Sequence, residues 1–172
     1  MHDNKITQVE AEQLNKEITE YFQSPEYLRS KEEVTRKNAE MREYFLDDFL
    51  KKFPGFLMFL EETDNADVLD YSYDIMFQVC YYLRYLFLRG KISEIREILI
   101  FLDEVFSGTN IEARNVVGVG FLENLHIISD VLPDIIKLFP KELYKDFMKH
   151  YEHYITGDDF ETIMKKASEK IK

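Results

Sequence analysis

The sequence predicts an all-α protein, and three observations carry that expectation. Apolar residues recur at three- and four-residue spacing along most of the chain. All four prolines (Pro25, Pro54, Pro133, Pro140) stand just before such a run, where a missing N–H costs a helix nothing. Gly90, Gly108 and Gly157 each follow one, as expected of a residue in the left-handed region just past a helix end.

Taken in order, Thr7 and Glu10 form a capping box for a first helix with Ala11, Leu14, Ile18, Tyr21 and Phe22 on one face. Ser24 and Pro25 open a highly charged helical segment, "EYLRSKEEVTRKNAE". Met41, Phe45, Phe49 and Phe53 then step by four, and "FPGFLMFLEE" reads as a break at Pro54-Gly55 before a short apolar helix. Asp67 is the expected cap of a long helix to Arg89, carrying Ile75, Met76, Val79, Leu83, Leu86 and Phe87. Ile92, Ile95, Leu99, Leu102 and Phe106 mark the next helix, and the box Thr109/Glu112 opens another, running through "RNVVGVGFLENLH". A short helix follows Pro133, and a longer one after Pro140 carries Leu143, Phe147, Tyr151 and Tyr154. Asp158 opens the last, with Phe160, Ile163, Met164, Ala167 and Ile171 on one face.

Short turns between these helices predict a single-domain bundle of about eight stacked antiparallel helices, or an irregular α-α array. Residues 1–37 are expected as an N-terminal helical arm and residues 38–172 as the core of one domain over 1–172. A chain of 172 residues is long enough to bury a substantial core.

Bulk properties exclude several classes of function. The N-terminal "MHDNKITQVE" lacks the apolar segment of a secretory signal, and the run "IMFQVCYYL" is far shorter than the roughly 20 residues that span a bilayer. A cytoplasmic protein without membrane insertion is expected. One cysteine, Cys80, leaves no disulfide framework and no CxxC metal site. The net charge of −11 argues against nucleic acid as a partner, because that binding rests on surplus Lys and Arg. The charge is concentrated: residues 53–132 carry 5 basic and 13 acidic groups, whereas residues 133–172 carry 8 of each. Such a middle attracts a basic protein partner, although acidity also serves solubility alone.

The stretch "VVGVGF" tests the fold class. It lacks the third glycine of G-x-G-x-x-G, with Glu123 in its place, and it lacks a Walker lysine. As a strand it would have no partner, so a helix is expected. Gly118 and Gly120 within a helix cost about 1 kcal/mol each, which close approach of a neighbour must offset. An element apolar almost all round should be central, so Arg114, Asn115, Glu123 and Asn124 are expected as structural polar residues, hydrogen-bonded or open to a surface.

Chemistry-bearing motifs are sparse. "ENLH" places Glu123 and His126 in the E-x-x-H spacing of di-iron bundles, but neither His150 nor His153 supplies a second such pair. His150 and His153 are neighbours on a helix surface without a third ligand. Cys80, with no basic neighbour, is expected in the core, and the tyrosine-rich "DYSYDIMFQVCYYLRY" suits either a core rim or an aromatic binding surface. No nucleophile, base and oxyanion donor come together, so no catalytic residue, cofactor or metal is assigned.

Phe101, Leu102, Gly108, Asn115, Val116, Gly118, Phe121, Leu122 and Glu123 lie in "ILIFLDEVFSGTNIEARNVVGVGFLENLH". Over residues 92–126, and more weakly back to about residue 40, the chain resembles a family of small bacterial all-helical proteins known as a domain of unknown function. The resemblance does not extend to the N-terminal arm or the last two helices. It implies a cytosolic bacterial helical protein with no established activity and carries over no catalytic residue. In size and charge the chain is also similar to the acidic helical proteins that neutralise toxins. The expected function is a non-enzymatic acidic protein-binding module, such as an immunity- or antitoxin-type inhibitor. Its candidate contacts are Glu61, Glu62, Asp64, Asp67, Asp70, Asp103 and Glu104. The alternatives are a metal or small-molecule site around Glu123 and His126, or a structural homo-oligomer joined through its tyrosines.

Overall fold

A computed structural model describes residues 8–154 together with Thr162 and Lys165, with side chains from residue 11 to residue 149 and at those two positions. Thr7 of the first capping box, Gly157 and the helix expected from Asp158 lie outside the described residues. The fold is all-α, with no strand among the described residues. The chain divides into two units, residues 1–40 and 41–172.

The first unit holds α1 (Gln8–Phe22) and most of α2 (Pro25–Met41). The Ser24 hydroxyl accepts from the Tyr27 N–H at 3.1 Å, capping α2 as its sequence position predicts. Tyr21, Phe22 and Tyr27 cluster around the turn at centroid distances of 4.9 to 5.7 Å. No described side chain between residues 11 and 40 is buried, and Leu14, Ile18, Tyr21 and Phe22 are all exposed.

The second unit contains the core. A π-helical turn (Arg42–Leu46) leads into α3 (Asp47–Lys52) and α4 (Pro54–Glu62), and a 3-10 turn (Ala66–Asp70) leads into α5 (Ser72–Leu88). Then come α6 (Ile92–Ser107), α7 (Ile111–Gly120), a 3-10 segment (Leu122–Ile128), α8 (Leu132–Ile136) and α9 (Lys141–Tyr154). Met41, Phe45, Phe49 and Phe53 are all buried, so the four-residue step marks one inward face. Phe49 lies 5.0 Å from Phe53, 5.6 Å from Phe56 and 5.7 Å from Phe101, joining α3, α4 and α6 in one aromatic cluster. Each fully buried ring stabilises by roughly 1.5–3 kcal/mol through surface removed from water. α5 is the hub, packed against α4, α6, α7 and both 3-10 segments.

Helix ends explain where sequence and structure part. α5 begins at Ser72, four residues later than expected from a cap at Asp67, because Asp67 sits in the 3-10 turn and Tyr71 is extended (φ −127°, ψ 115°). Arg42 Nη1 holds that turn by donating to the Leu69 carbonyl at 2.9 Å. The cap of α7 is Asn110, not Thr109: its side chain accepts from Ala113 N–H at 3.0 Å. Gly90 takes the left-handed conformation (φ 69°), with Lys91 N–H donating to Leu86 O at 3.0 Å. Gly108 does not; it is extended (φ −67°, ψ 173°). Space requires its hydrogen, since a Cβ there would lie 3.1 Å from Val105 O and 3.3 Å from Tyr44 Oη. Gly55 belongs to the first turn of α4, where a Cβ would lie 2.5 Å from Tyr82 Oη.

The glycine pair in α7 divides the same way. A Cβ on Gly120 would meet Met76 Cβ at 2.8 Å and Tyr73 O at 3.0 Å, whereas one on Gly118 would meet only Phe106, at 3.8 Å. Close approach to α5 is therefore a property of Gly120 alone. The α-helix stops there, and "LENLHII" continues as 3-10 rather than as α-helix. Nor is α7 enclosed on all sides: Ile111 is 72% and Val119 44% exposed.

Two substitutions separate these roles. Gly120→Ala should lower stability in urea by about 1–3 kcal/mol, because helix packing against Met76 and Tyr73 has no slack. Gly118→Ala should raise it by about 0.5–1 kcal/mol through helix propensity alone.

Candidate functional site

The expected acidic contacts fall at two places in the fold. Glu61, Glu62, Asp64, Asp67 and Asp70 are exposed around the end of α4 and the turn after it. None of the five makes an ion pair with Lys or Arg among the described residues; Glu62 accepts a long hydrogen bond from Tyr85 Oη, at 3.4 Å. Asp64 has a structural duty as well. It ends α4 in the left-handed conformation (φ 56°), with Asn65 N–H reaching back to Leu60 O at 2.9 Å. The other two acids lie on α6. Glu104 is exposed, whereas Asp103 is half-buried and its carboxylate accepts from Leu143 N–H at 2.7 Å, in the first turn of α9. A carboxylate there also complements the positive end of the helix dipole.

The four polar residues assigned to the central helix stand at its rim. Arg114 and Asn115 are exposed, and with Glu123 they line a groove of about 560 Å³ between α7 and α9, with Gly118 in its wall. Asn124 Nδ2 donates to Val119 O at 2.8 Å and Gly120 O at 3.3 Å, covering carbonyls that the end of α7 leaves free. His126 is exposed, and its Nδ1 lies 3.0 Å from the Glu123 carbonyl, not its carboxylate. Among the described residues no group of three or more His, Cys, Asp or Glu could hold a metal ion. The side chains of His150 and His153 lie outside those residues. Cys80 is fully buried, 3.5 Å from Phe121 O, and burial raises its thiol pKa far above the usual range.

A second groove, of about 490 Å³, runs between the end of α4 and the second half of α5. Phe59, Thr63 and Asn65 form one side; Phe77, Gln78, Tyr81, Arg84, Tyr85, Leu88 and Arg89 form the other. Arg84 is neutralised by a bidentate pair with Asp130, at 2.9 and 3.1 Å from Nε. That hydrogen bond, partly opposed by desolvation, holds the Asp130 carboxyl below its ordinary range. Arg89 instead lies flat over Tyr85, 3.5 Å from the ring centroid. Gln78, Arg84 and Arg89 were not singled out from sequence. The available signal was an amide inside "IMFQVCYYL" and the helical repeat of positions 77, 81, 84 and 88.

The family model described as Domain of unknown function (DUF7674) matches residues 46–155, and the chain belongs to that family. The match reaches past residues 92–126 through α8 and takes in all of α9 (Lys141–Tyr154), one of the last two helices to which the motif resemblance does not extend. It indicates no enzymatic family. No curated protein and no solved structure matches. No helix among the described residues is long and apolar enough to cross a membrane.

Two outcomes check this geometry. Cys80 should react with a thiol-specific disulfide reagent only as fast as the protein opens, and at once in denaturant. Because Asp130 is more acidic folded than unfolded, its pair with Arg84 stabilises fully above about pH 4 and progressively less as pH falls through the folded pKa. Asp130→Asn should therefore cost some stability at pH 7, and that difference should shrink to nothing in strong acid.

Proposed function

We propose that the chain is a non-enzymatic binding module whose 61–70 corner docks onto a basic protein in the cytoplasm, in the manner of an immunity- or antitoxin-type inhibitor. One observation carries this reading: five exposed carboxylates within ten residues lack a Lys or Arg partner among the described residues. Several carboxylates elsewhere are neutralised within the chain, Asp47 by Arg42, Asp130 by Arg84 and Asp134 by Lys137. Their mutual repulsion favours a cationic partner and speeds its encounter. Met58, 62% exposed one turn before Glu61 and Glu62 on α4, adds an apolar contact inside the acidic rim. The fixed turn at Asp64 keeps the corner ordered, so little is lost on binding.

Retention of native-host protein on the immobilised chain tests the reading. A partner should be held at low salt and released as salt rises. Glu61→Gln, Asp64→Asn, Asp67→Asn and Asp70→Asn together should weaken binding about tenfold or more, with asparagine at position 64 keeping the left-handed turn. Removing charge at Asp48 and Glu142 should not. Retention that ignores both salt and the fourfold variant overturns the proposal.

A further inference from the structure

We propose that the groove between α4 and α5 is a binding site for a flat aromatic anion. Gln78 is 9% exposed, lines this groove, and its carboxamide has no hydrogen-bond partner among the described residues. A buried amide without partners is disfavoured and seldom retained in a helix interior without a reason. Its NH2 and C=O offer a donor and an acceptor side by side, the complement of a heteroaromatic edge, and the NH2 alone can donate to a ring carboxylate.

The walls select a flat molecule. Aromatic rings line it: Phe59 of α4 packs on Tyr85 of α5 with centroids 5.2 Å apart, and Phe77 packs on Tyr81 along α5 at 5.5 Å. Charge selects an anion. Arg84 is already matched by Asp130, but Arg89 has no carboxylate partner among the described residues in a chain of net charge −11. Its guanidinium waits on Tyr85 at the groove's edge, where it can pair with a carboxylate or phosphate. About 490 Å³ is within the range of small-molecule sites.

Two probes separate the sources of such chemistry: naphthalene-2-carboxylate for a ring acid and AMP for a nucleotide. Each is titrated into the full chain by calorimetry and by NMR of the tyrosine signals. Binding of either supports the proposal, and the tighter one identifies the class. Arg89→Ala and Tyr81→Ala, both at exposed positions, should each weaken it about tenfold. Gln78→Met should do the same while leaving the melting temperature unchanged or higher, because it removes a buried unpaired amide. Arg114→Ala, in the other groove, should change nothing. Absence of binding for both probes at millimolar concentration, or equal binding by Arg89→Ala and the wild type, overturns the proposal.

Discussion

The contact of Gly120 with Met76 and Tyr73 governs the second unit. With nothing but hydrogen at that position, α7 comes within van der Waals distance of the α5 backbone. The α-helix ends at this contact, and a 3-10 segment takes over from Leu122. Asn124 then covers the carbonyls of Val119 and Gly120, and the Phe121 carbonyl turns toward the Cys80 thiol. Past the segment the chain places Asp130 against Arg84. Arg84 is part of the wall of the α4–α5 groove, so the close crossing on one face of α5 helps to fix the groove on another.

The opposite wall is fixed by a different buried contact. Tyr82 is 2% exposed, yet its hydroxyl donates to Glu94 at 2.6 Å and lies directly over Gly55. Burial and then the Glu94 carboxylate push its pKa up, so it remains a neutral donor at any ordinary pH. Gly55 lets α4 come close enough for Phe56 and Phe59 to pack on the same ring, at 5.4 and 5.3 Å. The spacing of α4 from α5 follows from that arrangement. A groove whose two walls are each set by buried contacts is preorganised.

Sequence pattern made most helices legible and few of their ends. The inward faces at Met41–Phe53 and Ile95–Phe106 follow from spacing alone, because burial obeys the 3.6-residue repeat. Ends depend on competition between neighbours, which spacing does not encode. Thr109 and Asn110 are both good caps, and backbone geometry chose the second. Asp64 does the work usually given to glycine, so the end of α4 carried no glycine signal. Gly118 and Gly120 look alike as letters, and only the position of Met76 separates them. The groove is hidden for a related reason: the tyrosine-rich run suits a core rim or an aromatic binding surface equally as letters, and the opposite wall comes from α4 and its following turn. An amide left without partners is a fact of packing, invisible until the neighbours of Gln78 are in place.

The acidic corner and the groove adjoin. Tyr85 donates to Glu62 through its hydroxyl and carries Arg89 on its ring face. Thr63 and Asn65 line the groove, and Asp64 between them belongs to the corner. A cation bound at the corner would draw on Glu62, and an anion bound in the groove would draw on Arg89. Opposite charges on two sides of one turn attract, so each ligand would find the chain better suited to it when the other is present. Such coupling is reciprocal by thermodynamic necessity. On the two proposals taken together, a basic partner would be held more tightly by a chain whose groove is filled.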